Sequence, residues 1–327
     1  MTEQTHILGF DPGMGAIKLY GAEGSVELPS QVAVATGPRL MVAAGLRLSR
    51  KHVPEVGIEG NTFLVGAGAH NHGQPVENLD YDRLTGSPEM HALFYGALSQ
   101  YPDLPKTLDA VMVGLPLETL SGEEARRNAN AVRRWLRGTH TWTVDGEAHS
   151  VEIKDVMITP QPVGALFDYV LDENAQFVPG RKKALLAEVG VVSIGFNTIE
   201  LLVIRNRTPA DRLTAGRTLG VRRLLELADG EGIYTLGELD DLLRRGRLDV
   251  RDALPVWERE VMGAIEKKWA RVYRKFEKVI IVGGGAVLLQ DALVRRFGGK
   301  AFVPDNPVIA TARGLYKIAL WKSMKRG

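Results

Sequence analysis

Two glycine turns constrain what this chain can fold into more than any other feature. Asp11 to Tyr20 (DPGMGAIKLY) and Ser193 to Leu202 (SIGFNTIELL) each set a glycine turn between two apolar, strand-like stretches. Gly13 and Gly195 lie 182 residues apart, more than half the chain, so one supersecondary unit is used twice. Two similar domains facing a shared cleft follow from that, and a length of 327 residues also favours two domains.

Around the turns the pattern is α/β. Ile7 to Phe10, Ala16 to Tyr20, Ala110 to Gly114, Val191 to Ile194, Ile199 to Ile204 and Val279 to Val282 read as strands, apolar or alternating and ended by glycine or polar residues. Ser121 and Glu124 have the spacing of a capping box, and Ala125, Ala129, Val132 and Leu136 then recur at helical spacing up to Gly138. Leu289, Ala292, Leu293 and Phe297 predict a second helix, and Pro307 through Gly314 to Trp321 a third. The fold class expected is α/β, with mixed sheets flanked by helices.

Composition narrows the function. Forty-one Lys and Arg against 39 Asp and Glu leave a net charge of +2, so neither an acidic tail nor a polybasic nucleic-acid protein is indicated. The absence of cysteine excludes disulfides, thiolate zinc sites, iron–sulfur clusters and a Cys nucleophile. Met1 to His6 lacks the basic region of a signal peptide, and the longest apolar runs fall far short of the roughly 20 residues of a membrane helix. A cytoplasmic protein without membrane insertion is the expectation.

Three motifs carry chemistry. In Asp11 to Lys18 (DPGMGAIK), glycines let backbone N–H groups converge on an anion, and Lys18 adds a point charge for phosphate. Asp11, ending the first strand, is placed to face a Mg²⁺ ion bridging phosphates. The same residues also suit an ordinary hairpin turn. In Val279 to Ala286 (VIIVGGGA), Gly283, Gly284 and Gly285 follow a buried strand, where a flat base or sugar can approach the backbone; a tight strand-to-helix turn is the alternative. Neither a Walker A loop nor a dinucleotide fingerprint is present.

Taken in order, Asp11 to Lys18, Val191 to Glu200 (VVSIGFNTIE) and Val282 to Ala286 resemble the phosphate-1, phosphate-2 and adenosine motifs of the actin ATPase superfamily. Thr159 to Ala165 (TPQPVGA) and Ala310 to Gly314 (ATARG) resemble its two connecting segments, and Leu28-Pro29-Ser30 fits the prokaryotic ParM/StbA and archaeal actin-like type. The resemblance spans essentially the whole chain. It implies two related domains, 1–160 plus 307–327 and 161–306, around a cleft for ATP or GTP and Mg²⁺. It implies that Asp11 belongs to the metal shell, that Gly13, Met14, Gly15 and Lys18 meet the β- and γ-phosphates, and that Gly195, Phe196 and Asn197 meet phosphate from the second domain. Gly283 to Gly285 would lie against the adenosine and Gly220, closing the segment Ala215 to Gly220, on the ribose side. Gln161 stands where the family orients the attacking water; an amide holds water in line without acting as a base.

The family's phosphate-2 motif begins with Asp, and here Ser193 stands there, with Glu200 at the second acidic position. Ser193 reaches a metal only through water, and losing one carboxylate costs about 1–3 kcal/mol, roughly 10- to 100-fold. Slow hydrolysis is therefore expected. A rival register, Glu188 to Ser193, restores a carboxylate but loses the matches at Gly195, Asn197 and Thr198. The resemblance further implies self-assembly into a head-to-tail filament, in plasmid or DNA segregation or cytoskeletal organisation, with a DNA-bound adaptor as partner and no direct sequence-specific nucleic-acid binding. A small-molecule kinase of the same superfamily and a non-hydrolysing nucleotide sensor or scaffold are the alternatives; no convincing Asp base for a kinase is visible. His70 and His72 are read as a polar loop rather than a zinc site. Arg244 to Arg247 and Lys267 to Lys275 are read as solvated basic faces, the second over an apolar stripe of Trp269, Val272 and Phe276.

Overall fold

The computed structural model describes residues 5–36 and 52–325; residues 1–4, which carry most of the signal-peptide reading, lie outside them. Consecutive hairpins form β1 (Ile7–Pro12), β2 (Ala16–Gly21) and β3 (Gly24–Pro29), and β9 (Ala110–Leu115) and β12 (Val156–Pro160) extend them into a sheet ordered β12-β9-β1-β2-β3. A second sheet of β4 (Val32–Val34), β5 (Glu55–Ile58), β6 (Asn61–Val65), β7 (Gln74–Pro75), β8 (Thr107–Leu108), β10 (Gly138–Val144) and β11 (Glu147–Ile153) packs beside it. The third contains β13 (Glu188–Ile194), β14 (Ile199–Arg205), β15 (Thr208–Pro209), β16 (Ala215–Arg217), β17 (Lys278–Val282) and β18 (Ala301–Phe302).

The first and third sheets have the same topology. In each, an antiparallel hairpin (β1–β2, β13–β14) carries further antiparallel pairing on its second strand. Two parallel strands (β9 and β12, or β17 and β18) extend from its first strand. The central parallel strands, β9 and β17, are apolar almost throughout and buried along nearly their whole length, because both faces are covered. The internal repeat extends to single pairs: Asp11 lies opposite Lys18, and 182 residues on Ser193 lies opposite Glu200.

Helices cover the sheets: α1 (Pro88–Ser99), α2 (Ala125–Leu136), α3 (Gln161–Val170), α4 (Val221–Ala228), α5 (Leu236–Arg244), α6 (Ala253–Trp269), α7 (Gly284–Leu288), α8 (Gln290–Phe297) and α9 (Ala310–Ser323). The segment containing α1 and the second sheet share one core with one face of the first sheet, α9 packs on the other, α3 packs on the third sheet, and α4, α6 and α8 pack on its far face. The two halves meet through α3 and α9. These helices cross at glycines: a Cβ on Gly314 would lie 1.8 Å from the Gly164 carbonyl oxygen, and one on Gly164 would lie 2.6 Å from that of Thr311. Beside the crossing, buried Asp168 accepts two hydrogen bonds from Arg313, at 2.6 and 2.7 Å, and one from buried Lys317, at 3.0 Å.

Three local expectations differ. Ser121 caps no helix; its hydroxyl donates to the Leu117 carbonyl at 2.6 Å and closes the preceding short turn, so α2 begins without a side-chain cap. Trp269, Val272 and Phe276 do not share a helix. The chain leaves α6 at Ala270 with φ of 41°, and Trp269 and Phe276 instead meet edge-on, centroids 5.1 Å apart, inside the core. The last helix starts at Ala310 rather than Pro307, whose carbonyl accepts from Gly283 at 2.8 Å.

Candidate nucleotide cleft

The β1–β2 and β13–β14 turns face each other across a cavity of about 330 Å³ between the first and third sheets. They touch: a Cβ on Gly15 would lie 2.6 Å from Cβ of Phe196, so only glycine fits there. The first turn is held from behind. Ser30 Oγ and Arg83 donate to the Gly13 carbonyl at 2.7 and 3.5 Å, and Ser30 N donates to the Gly15 carbonyl at 3.0 Å. Since a trans peptide sets its N–H opposite its C=O, pinning the Gly13 carbonyl turns the Met14 N–H away from Ser30. Burial pushes the Arg83 guanidinium down to about 10, which still leaves it cationic at neutral pH behind the turn.

The second turn is held by a helix terminus. The N–H groups of Gly220, Val221 and Arg222 donate to the carbonyls of Asn197, Gly195 and Phe196 at 3.1, 3.0 and 2.7 Å. Within the turns, Gly13 N donates to Asp11 O and Gly195 N to Thr198 O. The N–H groups of Met14, Gly15, Phe196 and Asn197 have no protein acceptor among the described residues. Asn197 Oδ1 is buried and has no partner among the described residues, a costly state for a polar atom unless something else meets it.

At the cleft floor, Asp11 is buried; its carboxylate accepts from Lys18 Nζ at 3.2 Å and from Gln161 Nε2 at 2.6 Å. Gln161 is the first residue of α3, and Ser193 lines the opposite wall. Glu200, beneath Ser193, accepts from Leu117 N at 2.6 Å. Burial first, then the charges of Asp11 and Glu118, push its carboxyl up to about 8 against the Leu117 hydrogen bond. Tyr81, also on the wall, has its phenol pushed up by burial and by Glu118 and Glu200.

The cavity wall includes Asp11, Gly13, Met14, Gly15, Lys18, Gln161, Ser193, Gly195, Phe196, Asn197, Gly283 and Gly284. Gly220 and Gly285 lie outside it. Gly220 packs behind the second turn, a Cβ there falling 2.4 Å from the Phe196 carbonyl oxygen, and Gly285 packs on Ile194. Residues 215–219 do not line the cavity either; β16 pairs with β14. Gly13 and Gly195 face it, but their own N–H groups are spent inside the turns. The rival register fails, because Glu188 sits at the far end of β13, paired with Arg205. His70 packs under Gly237 of α5, where burial lowers its basicity. Among the described residues no group of three or more metal-ligating side chains forms.

Several residues on or under the wall were not singled out as site residues from sequence, among them Tyr81, Glu200 and Arg244. Glu200 was legible, since the 182-residue repeat sets it on Lys18. Arg244, read as part of a solvated basic run, instead lines the cavity.

The residues present fit a magnesium nucleotide. The free N–H groups of both turns, Lys18 and the open space around a Cβ at Gly284 suit phosphate and a flat nucleoside, and Asp11 is the carboxylate a hard cation takes alongside phosphate oxygens and water.

The family model described as actin-like proteins N-terminal domain matches residues 9–164. No curated protein sequence matches the chain significantly. Among solved structures, apo ParM of pSK41 is 16% identical, with 99% of each chain covered and a TM-score of 0.72. The archaeal actin homolog Ta0583 in complex with ADP is 20% identical, covering 99% of this chain and 100% of that one, with a TM-score of 0.73. A 15-stranded ParM filament from Clostridium botulinum is 18% identical over 96% of this chain and 99% of that one, also at 0.73. Residues 9–164 thus match the actin-like protein N-terminal domain, and the whole length has the actin-like fold seen in ParM and the archaeal homolog.

Proposed function

We propose that the cleft binds ATP or GTP with Mg²⁺ and that the nucleotide-bound protein assembles head to tail into filaments, with slow hydrolysis governing disassembly. One observation carries the nucleotide reading: two repeat-related turns meet across one cavity with four backbone N–H groups that have no acceptor among the described residues, an arrangement from both halves that suits an anion. The domains in this reading are 1–160 with 307–327, and 161–306. ADP in the archaeal homolog and the ParM filament support extending it to nucleotide and assembly.

Mg²⁺, when bound, neutralises charge developing between the β- and γ-phosphates. Asp11 would hold that cation from the floor, and Lys18, paired with the Asp11 carboxylate at 3.2 Å, would supply a positive charge for phosphate. The Gln161 amide donates to Asp11 through its nitrogen, leaving its carbonyl oxygen to accept from the attacking water and hold it in line. Ser193 contributes a hydroxyl without charge, which favours slow turnover and keeps a nucleotide sensor as the second reading. Work in the cytoplasm, on plasmid or DNA segregation or cell organisation with a DNA-bound adaptor, belongs to the same proposal. Among the described residues no helix is long and apolar enough to cross a membrane.

The test is sedimentation and light scattering in parallel with phosphate release, with Mg²⁺ and ATP, GTP, ADP or no nucleotide. Assembly above a critical concentration only with a triphosphate is expected. Nucleotide binding with neither assembly nor turnover would favour the sensor.

A further inference from the structure

One helix of the second half is fastened to the first half at both ends. Leu239 of α5 is buried in the core of the third sheet, with Leu236 and Leu243 packed on it, so the helix belongs to that half. At its start, Gln31, buried beside β4, donates to the Gly237 carbonyl at 3.1 Å, and Gly237 N donates to Glu77 at 3.2 Å. At its end, each nitrogen of the Arg244 guanidinium takes a different acceptor. Nε donates to Asp240 at 2.7 Å within the helix, while across the cleft one terminal nitrogen meets Glu27 of β3 at 3.1 Å and the other meets the Gly15 carbonyl at 3.3 Å. A planar fork can serve three such acceptors at once, and a lysine ammonium cannot reproduce that geometry.

We propose that Arg244 is a positioning residue that latches the cleft shut over the phosphate-1 turn and so sets the rate at which nucleotide leaves; the second clause rests on the nucleotide reading above. Arg244 forms part of the cavity wall and holds the carbonyl of a turn residue, so opening the cleft breaks its contacts to Glu27 and Gly15 together. Partly exposed ion pairs are individually weak, so the latch is a rate-setting clasp rather than a determinant of folding.

The test compares wild type, Arg244→Ala, Arg244→Lys, Glu27→Gln and the Arg244→Ala/Glu27→Gln double variant in two assays. In nucleotide-free protein, amide hydrogen exchange over residues 11–19 and 234–246 is expected to quicken about tenfold in Arg244→Ala, less in Glu27→Gln, with urea unfolding of the whole protein little changed. In a chase of a fluorescent ADP analogue with Mg²⁺, release is expected to quicken about tenfold in Arg244→Ala, with Arg244→Lys intermediate and the double variant no faster than Arg244→Ala. Unchanged exchange in both segments overturns the latch whatever nucleotide does, and unchanged release with tight binding overturns its role in release. Absent binding to wild type, with the exchange difference intact, leaves the latch standing and refutes the nucleotide reading and the release role that rests on it.

Discussion

Replacing Glu200 with glutamine separates a titrating carboxyl from its shape. Glu200 is 3% exposed, and its carboxyl is pushed from 4.5 to about 8, chiefly by burial. Between those values the folded protein binds more protons than the unfolded chain, so unfolding free energy falls as pH rises through the window. At about 1.4 kcal/mol per pKa unit, the loss from this one group reaches roughly 4 kcal/mol by pH 8, of which less than 1 kcal/mol has accrued by pH 5. Glutamine keeps an oxygen for the Leu117 N–H and does not titrate. The stability difference, Glu200→Gln minus wild type, is therefore expected to grow by about 3 kcal/mol from pH 5 to pH 8 in urea titrations without nucleotide. Using the difference cancels every other titrating group the two proteins share. A difference constant across that range would refute the assignment of a buried, protonated carboxyl under Ser193.

Other perturbations report on the α3–α9 crossing and the cleft. Asp168→Asn removes the buried counter-charge shared by Arg313 and Lys317, leaving Lys317 only its pair with the more exposed Glu173 at 2.9 Å, and is expected to cost about 3 kcal/mol in urea unfolding. Gly314→Ala drives a Cβ into the Gly164 backbone and should cost about 3 kcal/mol or prevent folding, whereas Gly284→Ala, with nothing within 4 Å, should leave the melting temperature unchanged. Gln161→Ala should slow phosphate release while pelleting with triphosphate persists, and unchanged turnover would remove Gln161 from hydrolysis.

Much of the site was legible because it was written twice. The repeat joined Gly13 to Gly195 and marked both turns, and the strand pairs around them followed from apolar runs that short-range physics reads well. Glycine identity alone, however, does not tell a residue facing a ligand from one packed behind it: Gly284 opens on the cavity, while Gly285 and Gly220 are glycine because Ile194 and the Phe196 carbonyl crowd them. Those are contacts between distant segments, invisible to local spacing. Arg244 failed for the same reason, since its partner Gly15 is 229 residues away. Ser121 failed differently: the side-chain oxygen that would cap α2 is also well placed to close the turn before it, and the tertiary path of the chain chose the latter.

Isothermal titration of wild type and Asp11→Ala with a non-hydrolysable ATP or GTP analogue, with and without Mg²⁺, addresses the cleft most directly. A nucleotide site built from both turns predicts one saturable site per wild-type chain that requires Mg²⁺ and is lost in Asp11→Ala. Absence of binding to wild type at millimolar analogue, or undiminished Mg²⁺-dependent binding in Asp11→Ala, would contradict it.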